Sequence, residues 1–168
     1  MSRRLLVAGI GNIFQTDDGF GVEVAARLAQ HEPVPGVRIE DFGIKGVHLA
    51  YELLNGYDAL ILIDAVPMNE PPGTLAVIEP DDVPGVVTAE GDAPALDAHT
   101  MSPDVVLATL ARLGGSLDRV LVLGCQPADL SDGMGLTPAV AGMIDSAVDL
   151  CLELVADLMH TAGKGAPS

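Results

Sequence analysis

The chain has 168 residues, of which 49% are apolar and only 3% aromatic, so we expect one globular domain with an aliphatic core. Its formal net charge of −16 disfavours binding to nucleic acid or to an anionic membrane surface, and favours cationic partners. Its two cysteines, Cys125 and Cys151, lie far apart and outside any CxxC pattern, which argues against a disulfide scaffold and against a thiolate metal site.

Neither the first residues nor the longest apolar run has the pattern expected of a signal peptide or a membrane span. Residues 2–4 lead directly into a strand-like segment without a small-residue cleavage site, so no signal peptide is expected. The long apolar stretch at 139–159 is interrupted by four acidic residues, which excludes it as a membrane span. A cytoplasmic location follows as the expectation.

Strands and helices alternate along the first half of the chain. Hydrophobic runs predict strands at 4–10 and 37–41, and helical periodicity predicts helices at 18–30 and 47–54. The run at 57–66, ALILIDAV with its flanks, is typical of a central parallel strand. A loop of seven residues then leads to a strand at 74–79, and this loop is too short for a helical crossover, so that strand is predicted to be antiparallel.

The second half completes the pattern. Residues 80–98 are rich in Pro, Gly and Asp and are predicted to be irregular, after which Ser102, Pro103 and Asp104 form a helix-start signal. A strand is predicted at 119–124, and one long helix with an apolar stripe from about Pro138.

This order predicts an α/β fold, a three-layer α/β/α sandwich around a mostly parallel five-stranded sheet with one antiparallel strand. We assign residues 1–160 to a single domain and 161–168 to a disordered tail. Ligands of such folds bind beyond the carboxyl ends of the parallel strands. Candidate functional residues should therefore follow positions 10, 41, 64 and 124.

The first strand is followed by the glycine-rich stretch GNIFQTDDGFG, residues 11–21. Gly9 and Gly11 match two positions of a GxGxxG dinucleotide motif, but Phe14 occupies the third. Asp17 and Asp18 would also repel a pyrophosphate at the helix N-terminus. A nucleotide-binding regulator therefore remains only a remote alternative. One of the two aspartates suffices to cap the helix, so the other is free for another role.

Two further side chains are expected at the same edge of the sheet. Asp64 ends the run ALILI, where an ionised carboxylate needs a partner. His99 lies just before a predicted helix start. With Asp18, these residues form a set of two carboxylates and one imidazole, which suits Ni²⁺, Zn²⁺, Mn²⁺ or Fe²⁺. Each could instead play a local role: Asp64 as a capping or pairing residue and His99 as a surface residue.

Cys125 also follows a strand, but its acidic surroundings would raise the pKa of the thiol rather than activate it. We therefore expect Cys125 to pack as a small apolar side chain. No G-x-S-x-G nucleophile elbow is present.

Read together, four stretches between residues 4 and 150 resemble the hydrogenase maturation protease family, in the order in which that family has them. The stretches are LLVAGIGNIFQTDDGFGVEVAARL, ALILIDAVPMNEPPGTL, DAHTMSP and VLGCQPADLSDGMGLTPAVAGMIDSAV. The resemblance implies an endopeptidase that removes the C-terminal extension from the large-subunit precursor of a nickel–iron hydrogenase.

The same resemblance implies that Asp18, Asp64 and His99 bind nickel, supplied by the precursor, with other divalent metals binding in vitro. It makes Asp17 a capping or supporting partner. One departure concerns the segment DFGIKG, where many members have DGGT: Asp41 is kept, while Phe42 and Ile44 replace a glycine and a threonine. This loop is expected to contact the precursor, and Asp41 is a candidate acid/base or orienting residue. The alternative is a non-enzymatic nickel-binding docking or chaperone module.

Overall fold

The computed structural model describes residues 3–44, 46–79, 103–115 and 117–165. Within these ranges, a 3-10 turn at Thr16–Gly19 precedes the first α-helix. The strands are β1 (Leu5–Ile10), β2 (Val37–Gly43), β3 (Ala59–Ala65), β4 (Leu75–Ile78) and β5 (Arg119–Cys125). The helices are α1 (Phe20–Leu28), α2 (Gly46–Leu53), α3 (Pro103–Arg112), α4 (Pro138–Ala141) and α5 (Ile144–Gly165).

The strands form one sheet in the order β2-β1-β3-β5-β4. The pairs β1–β2, β1–β3 and β3–β5 are parallel, whereas β4 is antiparallel to β5, with Leu75 opposite Cys125. The predicted mostly parallel sheet with one antiparallel strand is thus confirmed. The short connection from β3 to β4 explains the reversal, because it leaves no room for a crossover helix.

Successive side chains of the buried strands pack into two hydrophobic cores, one on each face of the sheet. Leu5 and Val7 of β1 belong to the core that α1 and α5 cover. Leu6 and Ala8 belong to the core that α2 and α3 cover. Because the period of a strand is two residues, a continuous apolar run supplies both faces. The three-layer α/β/α prediction is confirmed.

The predicted long C-terminal helix is wrong in one respect, because the chain breaks after α4. The backbone N–H of Met143 bonds to the carbonyl of Val140, three residues back, where a continuous α-helix would reach back four. Gly142, which has a low helix propensity, lies at this break. The apolar stripe itself is confirmed, since its members all lie in one core: Val140, Ile144, Val148, Cys151, Val155 and Leu158.

Several predictions lie wholly or partly outside the described residues: the irregular segment 80–98, His99, the Ser102 cap and the last part of the tail. Helix α5 is described as far as Gly165. Among the described helices, none combines the length and apolar character that crossing a bilayer requires.

Candidate functional site

Close backbone packing fixes the position of the loop after β1. A Cβ atom on Gly9 would lie 2.2 Å from the carbonyl oxygen of Gly21, and one on Gly21 would lie 2.0 Å from that of Ile63. Only glycine at both positions lets α1 pack directly against β1 and β3. The glycines of this stretch therefore serve helix–sheet contact, and they bring the loop that precedes α1 to the carboxyl end of β3.

The loop also folds back on itself around Asp18. Gly11 has a φ of 134°, and a Cβ atom there would lie 1.9 Å from the carbonyl oxygen of Asp18. The backbone N–H of Asn12 donates to Oδ2 of Asp18 at 2.7 Å. This bond orients the Asp18 carboxylate. Burial raises the pKa of Asp18, and the Asn12 bond partly offsets that rise.

Asp17 is fully buried and joins two loops that are far apart in sequence. Its Oδ2 accepts hydrogen bonds from the N–H groups of Ala128 at 2.8 Å and Asp129 at 3.0 Å. Its Oδ1 accepts one from the N–H of Thr137 at 2.7 Å, and the Thr137 hydroxyl lies within 3.0 Å of both carboxylate oxygens. Asp17 thus anchors the loop 126–137.

The capping role predicted for Asp17 is wrong. Its hydrogen bonds instead support the loop 126–137. The N-cap of α1 is Gly19, with no side-chain bond. Sequence reasoning missed Thr137, because this partner lies 120 residues away and carries no local signal. The adjacency of two acids, where one cap needs one, is the only hint that the sequence offers.

Asp64 ends β3, where it pairs in register with Gly124 of β5. Its side chain is 4% exposed. Its Oδ1 is buried and has no hydrogen-bond partner within the described part of the chain. Burial raises the pKa of Asp64 well above its ordinary value, the charge of Asp18 raises it further, and the N–H of Ala65 lowers it.

The Asp18 and Asp64 carboxylates therefore lie close enough to interact electrostatically. A buried carboxylate oxygen without a donor beside a second carboxylate is unfavourable unless a cation or a proton satisfies it. The donor chemistry fits a divalent metal with oxygen and nitrogen ligands. His99 lies outside the described residues, and those described contain no cluster of three metal-binding side chains.

Asp41 lies in β2 at a β-bulge. Gly9 pairs with Asp41 and Ile10 with Gly43, so Phe42 is the extra residue. Phe42 is buried in the core, and Asp41 stays exposed. The bulge forms one wall of a cavity of about 280 Å³. The cavity is lined by Gly11, Asn12, Ile13, Phe14, Val22, Asp41, Phe42, Gly43 and Ile44.

Cys125 lies in the hydrophobic core as predicted. Burial raises the pKa of its thiol to about 11, and the charge of Asp17 contributes to that rise. Such a thiol is not a nucleophile near neutral pH. His31, His48 and His160 are exposed on or beside helices.

Comparisons with known proteins give a consistent result. The family model HycI, described as hydrogenase maturation protease, matches residues 22–154. The hydrogenase expression/formation protein HupD of Rhodobacter capsulatus is 40% identical over 147 residues, covering 86% of this chain and 68% of that protein. The hydrogenase 2 maturation protease of Escherichia coli is 33% identical over 151 residues, covering 89% of this chain and 88% of that protein.

A solved structure has the same fold. The hydrogenase maturating endopeptidase HybD from E. coli superimposes with a TM-score of 0.74 at 30% sequence identity. The superposition covers 92% of this chain and 93% of that chain. The similarity therefore spans most of the chain.

Proposed function

Because the chain belongs to the hydrogenase maturation protease family, we propose that it is an endopeptidase that removes the C-terminal extension of a nickel–iron hydrogenase large-subunit precursor. The family supports the proteolytic activity and the class of substrate. The observation that carries the proposed site is the buried Oδ1 of Asp64 beside Asp18, to which no group in the described part of the chain donates a hydrogen bond. Two carboxylates that repel one another, at an edge where α/β folds bind ligands, suit a cation as their common partner.

We propose further that this cation is nickel and that it belongs to the precursor. Asp18 and Asp64, together with His99, would hold it as oxygen and nitrogen ligands. The metal would supply Lewis-acid polarisation near the scissile bond. Asn12, through its N–H bond to Asp18 Oδ2, fixes one ligand in advance, which reduces the ordering required when the precursor binds.

The remaining chemistry falls to water rather than to a protein nucleophile. The Cys125 thiol, with a pKa of about 11, is protonated and buried. Asp41 is exposed at the bulge and lines the adjoining cavity. We propose that it orients the peptide or accepts a proton from the attacking water.

The test is cleavage of purified precursor, metal-loaded or metal-free, followed by mass spectrometry. We expect loss of a C-terminal peptide only from the loaded precursor, and loss of this activity in Asp64→Asn. Asp58→Asn is a matched control, because Asp58 lies next to the opposite end of β3, where it binds the Arg4 N–H at 2.8 Å. Equal cleavage of both precursors would refute recognition through nickel.

A non-enzymatic docking or chaperone module is the second candidate, since the same carboxylates could bind nickel without hydrolysis. It predicts a stable complex with an intact precursor. Mass spectrometry of the mixture separates the two: an unshortened precursor after prolonged incubation with wild-type protein contradicts the protease.

A further inference from the structure

Two loops beside the candidate site expose apolar side chains that the fold itself does not use. Phe14 is 59% exposed and Met134 is 71% exposed. Ile13, the neighbour of Phe14, is 40% exposed, and Leu130, four residues before Met134, is 41% exposed. We define these four residues as the apolar rim. Contiguous apolar surface with a polar border commonly marks an interaction site.

The backbone joins the two halves of the rim. The N–H of Gly133 donates to the carbonyl of Phe14 at 2.9 Å, and the N–H of Thr16 donates to the carbonyl of Gly133 at 2.9 Å. The Thr16 hydroxyl donates to the carbonyl of Ser131 at 2.6 Å. Together with the buried bonds of Asp17 to the loop 126–137, these contacts hold together the two loops that carry the apolar side chains.

The rim adjoins the proposed metal ligands. Ile13 and Phe14 follow Asn12, whose N–H binds the Asp18 carboxylate and whose Oδ1 accepts the N–H of Phe14 at 2.9 Å. Ile13 and Phe14 also line the 280 Å³ cavity. A peptide anchored at Asp18 would therefore meet this surface within a few residues.

The charge around the rim selects among possible occupants. Residues 11–19 and 126–137 contain four aspartates and no lysine or arginine. Asp129 and Asp132 are exposed, and hydrogen bonds from Ser131 lower the pKa of Asp129, so it stays ionised. An acidic border around apolar side chains complements a segment that is itself apolar and flanked by basic residues.

We propose that the apolar rim docks an apolar, basically flanked segment of the hydrogenase precursor close to the cleavage point. This inference rests on the proposed protease function and names the contacts that determine which precursor is accepted. It assigns a binding role to Phe14 and Met134, and to Asp17 the role of positioning the two loops that carry them.

The test compares the double variant Phe14→Ser/Met134→Ser with the wild-type chain in precursor cleavage. We expect KM to rise about tenfold or more, because burial of two apolar side chains is lost, while kcat changes less than about twofold. Tyr51→Ser is the matched control: Tyr51 is 55% exposed and lies in the second half of α2, which leads toward the start of β3, away from the site. Its KM should not change.

A second measurement tests the charge. Raising the salt from about 0.05 M to about 0.5 M should increase KM for the wild-type chain, because screening weakens exposed charge pairs. Asp129→Asn/Asp132→Asn should raise KM at low salt and reduce this salt dependence. Both aspartates are exposed, and the amide oxygen of an asparagine at position 129 can still accept the Ser131 hydrogen bonds, so folding should change little.

The outcomes separate the two hypotheses. Wild-type cleavage with an unchanged KM in the double serine variant overturns the docking proposal and leaves the protease function intact. Absence of wild-type cleavage refutes the protease function. Sedimentation showing a wild-type dimer that the double variant abolishes would assign the rim to a second copy of this chain, which also overturns the proposal.

Discussion

Replacement of Asp17 by asparagine should destabilise the protein far more than a typical single substitution. The carboxylate is fully buried. It accepts bonds from the N–H groups of Ala128, Asp129 and Thr137 and contacts the Thr137 hydroxyl. Asparagine has nearly the same shape, but it offers one acceptor oxygen, and its NH₂ group would point at N–H donors that have no other partner among the described residues.

The magnitude follows from these four donors. Hydrogen bonds to a charged group contribute about 1.5–3 kcal/mol each, so their sum sets an upper limit of about 6–12 kcal/mol. One remaining oxygen can serve about half of the donors, which leaves a loss of about 3–6 kcal/mol in the free energy of unfolding. Relaxation of the loop 126–137 into water favours the lower end of this range.

Urea unfolding measured by circular dichroism gives this free energy, and amide hydrogen exchange at Ala128, Asp129 and Thr137 shows whether the loop opens locally. Thr137→Val is the matched control, because it removes only the hydroxyl donor and should lose about 1–2 kcal/mol. A free energy of unfolding for Asp17→Asn within about 0.5 kcal/mol of wild type, with unchanged exchange rates, would contradict the anchoring role of Asp17.

Two further predictions concern the buried titratable groups. The pKa of Asp64 is raised in the folded protein, so the native state holds more protons than the unfolded chain in the pH range between the two pKa values. The free energy of unfolding should therefore fall as pH rises from about 3.8 to the folded pKa, by about 1.4 kcal/mol per pH unit. Asp64→Asn should lose this slope and unfold at a higher temperature than wild type above that range, and an unchanged pH profile would contradict it. Because the pKa of Cys125 is about 11, its thiol should resist alkylation by iodoacetamide at pH 8 in the native state, and Cys125→Ala should still process precursor. Rapid alkylation of the native thiol would contradict this.

The sheet could be predicted because each of its central strands is a recognisable hydrophobic run in the sequence. The runs RLLVAGI and ALILIDAV are too short for membrane spans and too continuous for half-exposed strands, so a parallel sheet covered on both faces is the arrangement that buries them. The direction of β4 followed from the length of one loop. These are local properties, and hydrophobic burial alone enforces them.

The break between α4 and α5 and the role of Asp17 depended on tertiary contacts. Val140 and Ile144 belong to one stripe whether or not the helix is continuous, so periodicity could not locate the break at Gly142. Asp17 looked like a helix cap because caps are the commonest use of aspartate at that position. Its partners in the loop 126–137 come into contact with it only when the sheet has assembled.

The bulge at Phe42 is a second feature whose consequence could not be predicted from the sequence. The segment DFGIKG departs from the pattern of many family members, and the sequence indicated only that the loop differs. The register between β1 and β2 shows that the extra residue directs Phe42 into the core and leaves Asp41 exposed beside the cavity. A one-residue shift in pairing thus determines which side chain meets solvent.

The arrangement of Asp18 and Asp64 links stability to function. Among the residues that the structure describes, no group donates to the buried Oδ1 of Asp64, and a buried carboxylate oxygen without a donor is destabilising. Protonation relieves it at low pH, and a cation relieves it without a proton. We therefore expect the largest gain in the stability of the protein when a partner brings a positive charge to Asp64. Under the proposed function, a precursor without nickel brings no such charge to that position. Under the proposed function, discrimination between metal-loaded and metal-free precursor would arise from the electrostatic cost of the Asp64 carboxylate beside Asp18 in the folded chain.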